Sequence, residues 1–471
     1  MSLPDLRALT LCEVAAAIAR GEVSSVSATE EALSRLRQTG PELNCLATIE
    51  DDQVLEEAER CDRERAAGRL RGPLHGVPLA HKDLFYRAGK VTGCGSRIRQ
   101  DFVADHTATA IDRLGAAGAL CVGSLHMAEF AFSPTGWNQH YGHGRNPWNR
   151  EHVPGGSSSG SGAAVGARLV HGSLGTDSGG SLRHPASMCG VTALKPTQTR
   201  VSRHGVMPLS HSLDCVGPLA PAARDCARLL GVIAGADARD ATAATVPVPD
   251  YEAALDGRIA GLRIAVPTNY YYDTVAPEIQ ALLDASLDVL RQLGATIVRV
   301  TVPDMATINA AAQVVMSVEA ATVHRRWLST RRDDYGAFVR SRIEPGLLMP
   351  AVRYAEALDL RARLTEAFLQ STLCEADVLH LPAVTIPVPS IAETTTDEPA
   401  RINARLGALT HATRGINYLG LPAAGVPMGF TANGLPAGFQ LVGRPFAESL
   451  LLKLADAYQG VTDWHRRHPG L

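Results

Sequence analysis

The chain has 471 residues, 45% hydrophobic and 20% charged, which is enough apolar mass for one large folded unit or two to three smaller ones. A net charge of −3 and an aromatic content of 5% supply neither a basic field for nucleic acid or an anionic membrane nor stacking platforms for single strands. No stretch approaches 18 uninterrupted apolar residues, and nine scattered cysteines without a CxxC pair fit a reducing cytoplasm better than a disulfide framework or a zinc site.

The start, "MSLPDLRALTLCEV", lacks the basic and apolar blocks of a signal peptide. The first 70 residues read as helical. "SATEEALSRLRQTG" opens at Ser27 with Glu30 three residues on, a capping-box pattern, and is expected to end at Gly40. "DDQVLEEAERCDRERAAG" follows as a second amphipathic helix. "GVPLAHKDL" then reads as a strand with Pro78 near its start. Strands and helices alternate from there: "TATAIDRLGAAG" (helix), "ALCVGSL" (strand), "AAVGARLV" (helix), "GSLGTD" (strand). Later "LRIAVP", "PEIQALLDASLDVLRQLG" and "ATIVRVTV" make a βαβ unit. This predicts an α/β layer fold with a partly parallel sheet. The stretch 235–251 reads as a surface loop, so residues 1–471 form one domain with 1–70 as a helical region inside it.

Two glycine-rich stretches carry the chemistry. "GGSSSGSG" (155–162) lacks the lysine of a phosphate loop and the spacing of a dinucleotide loop. It matches the GxSxG elbow with Ser158 central, a pattern that arises easily in such a run. A linker would need no helix of small residues directly behind it. Next comes "LGTDSGGSLRHPASMCGVTALKPT" (174–197), where a glycine pair precedes Ser181. Consecutive glycines let backbone N–H groups converge on one point, which an oxyanion requires. Upstream, Lys82 stands at a strand end.

Together "GGSSSGSGAAV", "GTDSGGSLRHPASMCGVTALKPT" and "PLHGVPLAHKD" resemble the amidase signature family, with "HYGHGRNPWN" and the segment 417–458 resembling its flanking segments. The resemblance spans about residues 10 to 460. It implies an amidase-signature fold, a central mixed twisted β-sheet covered on both faces by α-helices. It also implies a Ser–Ser–Lys triad: Ser181 as nucleophile, Ser157 as bridging serine behind a cis peptide bond, and Lys82 as base. The oxyanion hole maps to the backbone of Ser178, Gly179, Gly180 and Ser181, with Ser158, Asp177 and Arg183 in support.

The physical reason is plain. A serine hydroxyl is too weak an acid to attack an amide unaided, and lysine accepts a proton only when burial lowers its pKa. A neutral Lys82 would draw the proton of Ser181 through Ser157 and return it to the leaving amine. Neither metal nor other cofactor is implied. His184 offers an alternative base. His126, Glu129, His140 and His143 lack HExxH spacing and read as core or surface groups. Cys94 and Cys189 read as packing residues.

The family spans amide, carbamate, urea and ester hydrolases, and the ammonia-supplying component of the glutaminyl-tRNA amidotransferase. That component's tyrosine- and lysine-rich segment has no counterpart in 344–368, and no arginine is evident where it holds the glutamine carboxylate. The expectation is therefore a stand-alone cytoplasmic hydrolase of a small uncharged amide. Carbamate or ester cleavage is the variant, and the glutaminyl-tRNA amidotransferase component is the alternative. "MAEFAFSPTGW" is apolar, so Met127, Phe130 and Trp137 are the candidate pocket residues. No nucleic-acid or membrane partner is expected, and the helical N-terminal region offers a surface for a homodimer.

Overall fold

The computed structural model describes residues 5–395 and 399–471. Among the described residues, eleven strands form two sheets. β1 (Leu46–Ile49), β3 (Leu120–Leu125) and β2 (Pro78–Lys82) make a small sheet in that spatial order, with β1 antiparallel and β2 parallel to β3. The large sheet runs β4 (Ser173–Asp177), β6 (Cys215–Ala220), β5 (Thr192–Lys195), β10 (Ala423–Phe430), β11 (Pro436–Val442), β9 (Val378–Pro382), β7 (Arg263–Pro267) and β8 (Thr296–Val300). Its β4-to-β9 portion is antiparallel, and β9, β7 and β8 pair in parallel. Helices cover the sheet, so the expected α/β architecture with a mixed central sheet holds. Among the described residues no helix is long and apolar enough to cross a membrane.

The βαβ unit forms as its pattern predicts: β7, the helix Pro277–Gln292 and β8, with Ile264 opposite Ile297 in register. The N-terminal region differs from its reading in two ways. It includes β1, and its long helix is Ser25–Leu43 rather than a helix opening at Ser27. Ser24 is the cap, its hydroxyl accepting from the Ser27 N–H at 2.9 Å. Gly40 does not end the helix. It packs against Leu46, and the left-handed turn falls at Asn44 (φ 45°), whose short amide tolerates that conformation. The loop 235–251 contains no helix or strand, and the buried Arg200 anchors it through the Val246 and Pro247 carbonyls and the Tyr251 hydroxyl.

The core follows from the strand sequences. β4, β5, β6, β10 and β11 are buried almost throughout, because helices lie on both faces. The two sheets meet where β2 faces β4: the Leu174 N–H donates to His81 Nδ1 at 3.1 Å. The candidate functional site lies at this seam.

Candidate active site

Lys82 ends β2, one position before the chain leaves the small sheet. Its Nζ lies 2.7 Å from Ser157 Oγ and 3.0 Å from Thr176 Oγ1. Among the described residues no carboxylate bonds it directly. Burial, only partly opposed by the charges of Asp214 and Asp177, lowers its pKa to about 7, so a large neutral fraction exists near neutrality.

Ser157 follows a cis peptide bond with Gly156 and precedes the helix Ser159–Gly166. The Gly/Ser run is crowded on every side. A side chain at Gly155 (φ 79°) would lie 2.7 Å from the Pro185 nitrogen, and one at Gly156 would lie 2.6 Å from the Ser133 carbonyl. The run is glycine-rich because backbone passes close to backbone, a role no tether has. Ser158 donates to the Thr176 carbonyl at 3.3 Å.

Ser181 lies in the turn between β4 and the helix Arg183–Cys189 and is 9% exposed, whereas Ser157 is fully buried. No hydrogen bond joins the two hydroxyls among the described residues, so only the Lys82–Ser157 link of the expected relay is made here. Asp177 shapes the turn. Its carboxylate accepts from the Gly180 N–H at 2.7 Å and the Leu182 N–H at 3.1 Å. The Gly180 amide is therefore engaged, while the amides of Ser178, Gly179 and Ser181 have no acceptor among the described residues. Gly180 sits at φ 130°, and a Cβ there would strike the His184 ring.

Behind the turn, Arg183 holds both Asp177 oxygens at 3.0 Å, with both side chains fully buried. Gln440 accepts from Arg183 at 2.8 Å, and Asn417 donates to Asp177 Oδ1 at 2.9 Å. Although burial opposes it, the Arg183 guanidinium holds the Asp177 carboxyl well below the usual carboxylate range. Asp177→Ala should therefore leave Arg183 buried and unpaired and cost about 3–5 kcal/mol, read as a lower urea midpoint at unchanged slope. Ser178 Oγ donates to Asp214, which ties the other end of the turn to the loop before β6.

His184 does not face Lys82 or Ser157. Its Nδ1 lies 3.3 Å from the Gly156 carbonyl, its Nε2 2.9 Å from Thr413 Oγ1, and burial lowers its pKa to about 4. Both nitrogens are occupied, which makes it a brace of the two glycine turns. The Cys189 thiol is buried and pushed well up, and Cys94 is raised to about 12 by burial.

A narrow cavity of about 30 Å³ opens at Ser181. Its wall includes Ser178, Gly179, Ser181, Phe132, Thr410 and two guanidiniums, Arg342 and Arg414. Met127, Phe130 and Trp137 are not in this wall. Phe130 turns away (φ 46°) to stack on Trp327 and meet His324, Trp137 stacks on Phe338, and Met127 lines a separate cavity beside Asp83. The apolar segment thus builds the shell behind the pocket, and Ala131 to Pro134 form its face.

Glu129 is part of that shell. It accepts from Ser96 Oγ at 2.7 Å and from the Gly336 N–H at 3.0 Å, and lies 3.2 Å from His140 Nε2. Gly336 caps the helix Ala337–Ile343, which carries Arg342. His126 bonds the Gly142 carbonyl and His143 packs against Trp137, so these residues do not converge, and among the described residues no group of three metal-binding side chains exists. Sequence reasoning missed Arg342, Arg414, Thr176, Asn417 and Gln440. Only the fold brings them near Lys82, Ser157 and Ser181.

The amidase family model ("Amidase") matches residues 27–452. The chain belongs to the amidase family. It is 40% identical to the A-type subunit of the glutamyl-tRNA(Gln) amidotransferase of Roseiflexus sp. (strain RS-1), over 99% of each chain. Among solved structures, one described as an unexpected vestigial protein complex revealing the origins of an s-triazine catabolic enzyme superposes with TM-score 0.89 at 34% identity, covering 96% of this chain and 98% of that one. The A-type subunit of the Thermotoga maritima glutamyl-tRNA(Gln) amidotransferase superposes with TM-score 0.82 at 29% identity, over 99% and 98%.

These likenesses overturn the expectation of a stand-alone hydrolase of an uncharged amide, carbamate or ester. Full-length relatives are named for a component of an amidotransferase. The cavity also brings two arginines, Arg342 and Arg414, to the same wall as Ser181, so it is not an uncharged pocket.

Proposed function

We propose that this amidase-family enzyme is the amide-cleaving component of an amidotransferase-type assembly. Ser181 attacks a primary carboxamide, ammonia leaves, and water releases the acid. Lys82 takes the proton through Ser157 and returns it to the departing nitrogen, and unengaged amides of the 178–181 turn hold the oxyanion. The Asp177-braced turn presents Ser181 to a cavity bearing Arg342 and Arg414, and that placement is the observation that carries the reading. It supports a substrate whose amide lies on a carboxylate-bearing chain. Kinship with proteins named as subunits supports a partner chain that receives the ammonia.

Ammonia release from short carboxylate-bearing amides tests the reading. The rate should rise with pH through about 7, because Lys82 acts as a base only when neutral, and should level off above. Hydroxylamine should divert the acyl-enzyme to a hydroxamate. A rate flat from pH 6 to 9, or no hydroxamate, would sink the mechanism.

A further inference from the structure

Resting on that reading, we infer that the acyl pocket selects a carboxylate-tailed amide carrying no ammonium group, with the carboxylate held between Arg342 and Arg414. The two guanidiniums come from different elements: Arg342 from the helix Ala337–Ile343 and Arg414 from the first position of the helix Arg414–Tyr418. The Arg414 side chain passes beside the oxyanion turn, its Cγ 3.9 Å from where a Cβ on Gly179 would stand.

Among the described residues neither cation has an acidic partner. Arg414 donates to Thr410 Oγ1 at 2.8 Å, a neutral partner. Arg342 Nε is buried without an acceptor, and its guanidinium lies 4.7 Å from the Phe132 ring centre. The wall includes no aspartate or glutamate among the described residues. Both side chains line the one cavity, and burial lowers the pKa of each. Two unpaired, largely desolvated cations call for an anion. With one carboxylate bound, the pocket still carries net positive charge, so an ammonium on the same carbon chain meets repulsion and finds no carboxylate to hold it.

Three amides of equal length separate the possibilities: glutaramate (5-amino-5-oxopentanoate), glutamine, which adds only an α-ammonium, and pentanamide, which lacks the carboxylate. Their binding to Ser181→Ala by calorimetry is independent of turnover. Glutaramate should bind at least tenfold tighter than either of the others, and Arg342→Met or Arg414→Met should remove most of its advantage over pentanamide. Glutamine binding as tightly as glutaramate, or pentanamide matching both, would overturn the inference. Ammonia release by the unsubstituted protein reports separately. Turnover with glutamine favoured would retain the amide-cleaving function and reject the tail preference. Preferential glutaramate binding with no hydroxamate from any amide would retain the pocket and reject the function.

Discussion

Ser181→Ala should lower ammonia release by about 10⁴-fold or more, with no loss of anion binding. On the proposed mechanism the Ser181 oxygen is the atom that becomes acylated, and nothing in the turn replaces it. His184 is tied to Thr413 and Gly156, and the Cys189 thiol is buried. Stability should hardly change, because the turn is fixed by Asp177 through the Gly180 and Leu182 amides rather than by the serine side chain. Single-turnover ammonia release, with thermal unfolding as control, reads both. A variant that keeps even a tenth of the parent rate would require another nucleophile.

Lys82→Met should lower the rate by about 10²–10⁴-fold and abolish its rise through pH 7. The same substitution should stabilise the fold. The buried lysine has its pKa depressed from 10.5 to about 7, so between these values the unfolded chain binds a proton that the folded chain does not. Its contribution to stability is therefore lost as pH falls through that window, and is lowest below about pH 7. Methionine has no proton to bind and fills a similar volume. The stability gap between variant and parent should widen from pH 10 to pH 7 and then stay constant, and urea unfolding at several pH values measures it. A variant less stable than the parent at pH 7 would show that the lysine is held as a structural ion, not kept neutral for chemistry.

The residues proposed to do the chemistry were legible in the sequence because they are local. Lys82, Ser157, Asp177, Ser181 and Arg183 fall within about a hundred residues, and the glycines beside them are fixed by close backbone approaches that leave a compositional trace. The alternation of strands and helices was legible for the same reason, and β7, its helix and β8 follow their pattern closely. The pocket was not. Arg342 sits in "FVRSRI" and Arg414 in "HATRGIN", short stretches whose charge reads as a solvated face until the fold turns both toward Ser181. The segment 127–137 misled in the opposite sense. Its aromatic rings are real, but the left-handed backbone at Phe130 and Ala131 turns the Phe130 ring into the shell against Trp327 and leaves Ala131, Phe132, Ser133 and Pro134 to line the cavity.

On the proposed mechanism, the groups that break the bond and the groups that hold the substrate therefore come from opposite halves of the chain. The triad and its turn rest on β2, β4 and the helices that follow the two glycine stretches, whereas Arg342, Thr410 and Arg414 belong to helices beyond β8. Inheritance can treat the two separately. A lineage can exchange one guanidinium for an acid or an apolar side chain and acquire a new amide, while the reactive half keeps its sequence unaltered. Chains of this architecture that share the glycine stretches but act on unlike amides are the expected products of such drift, and the residues to compare first when sorting them are those at 342, 410 and 414.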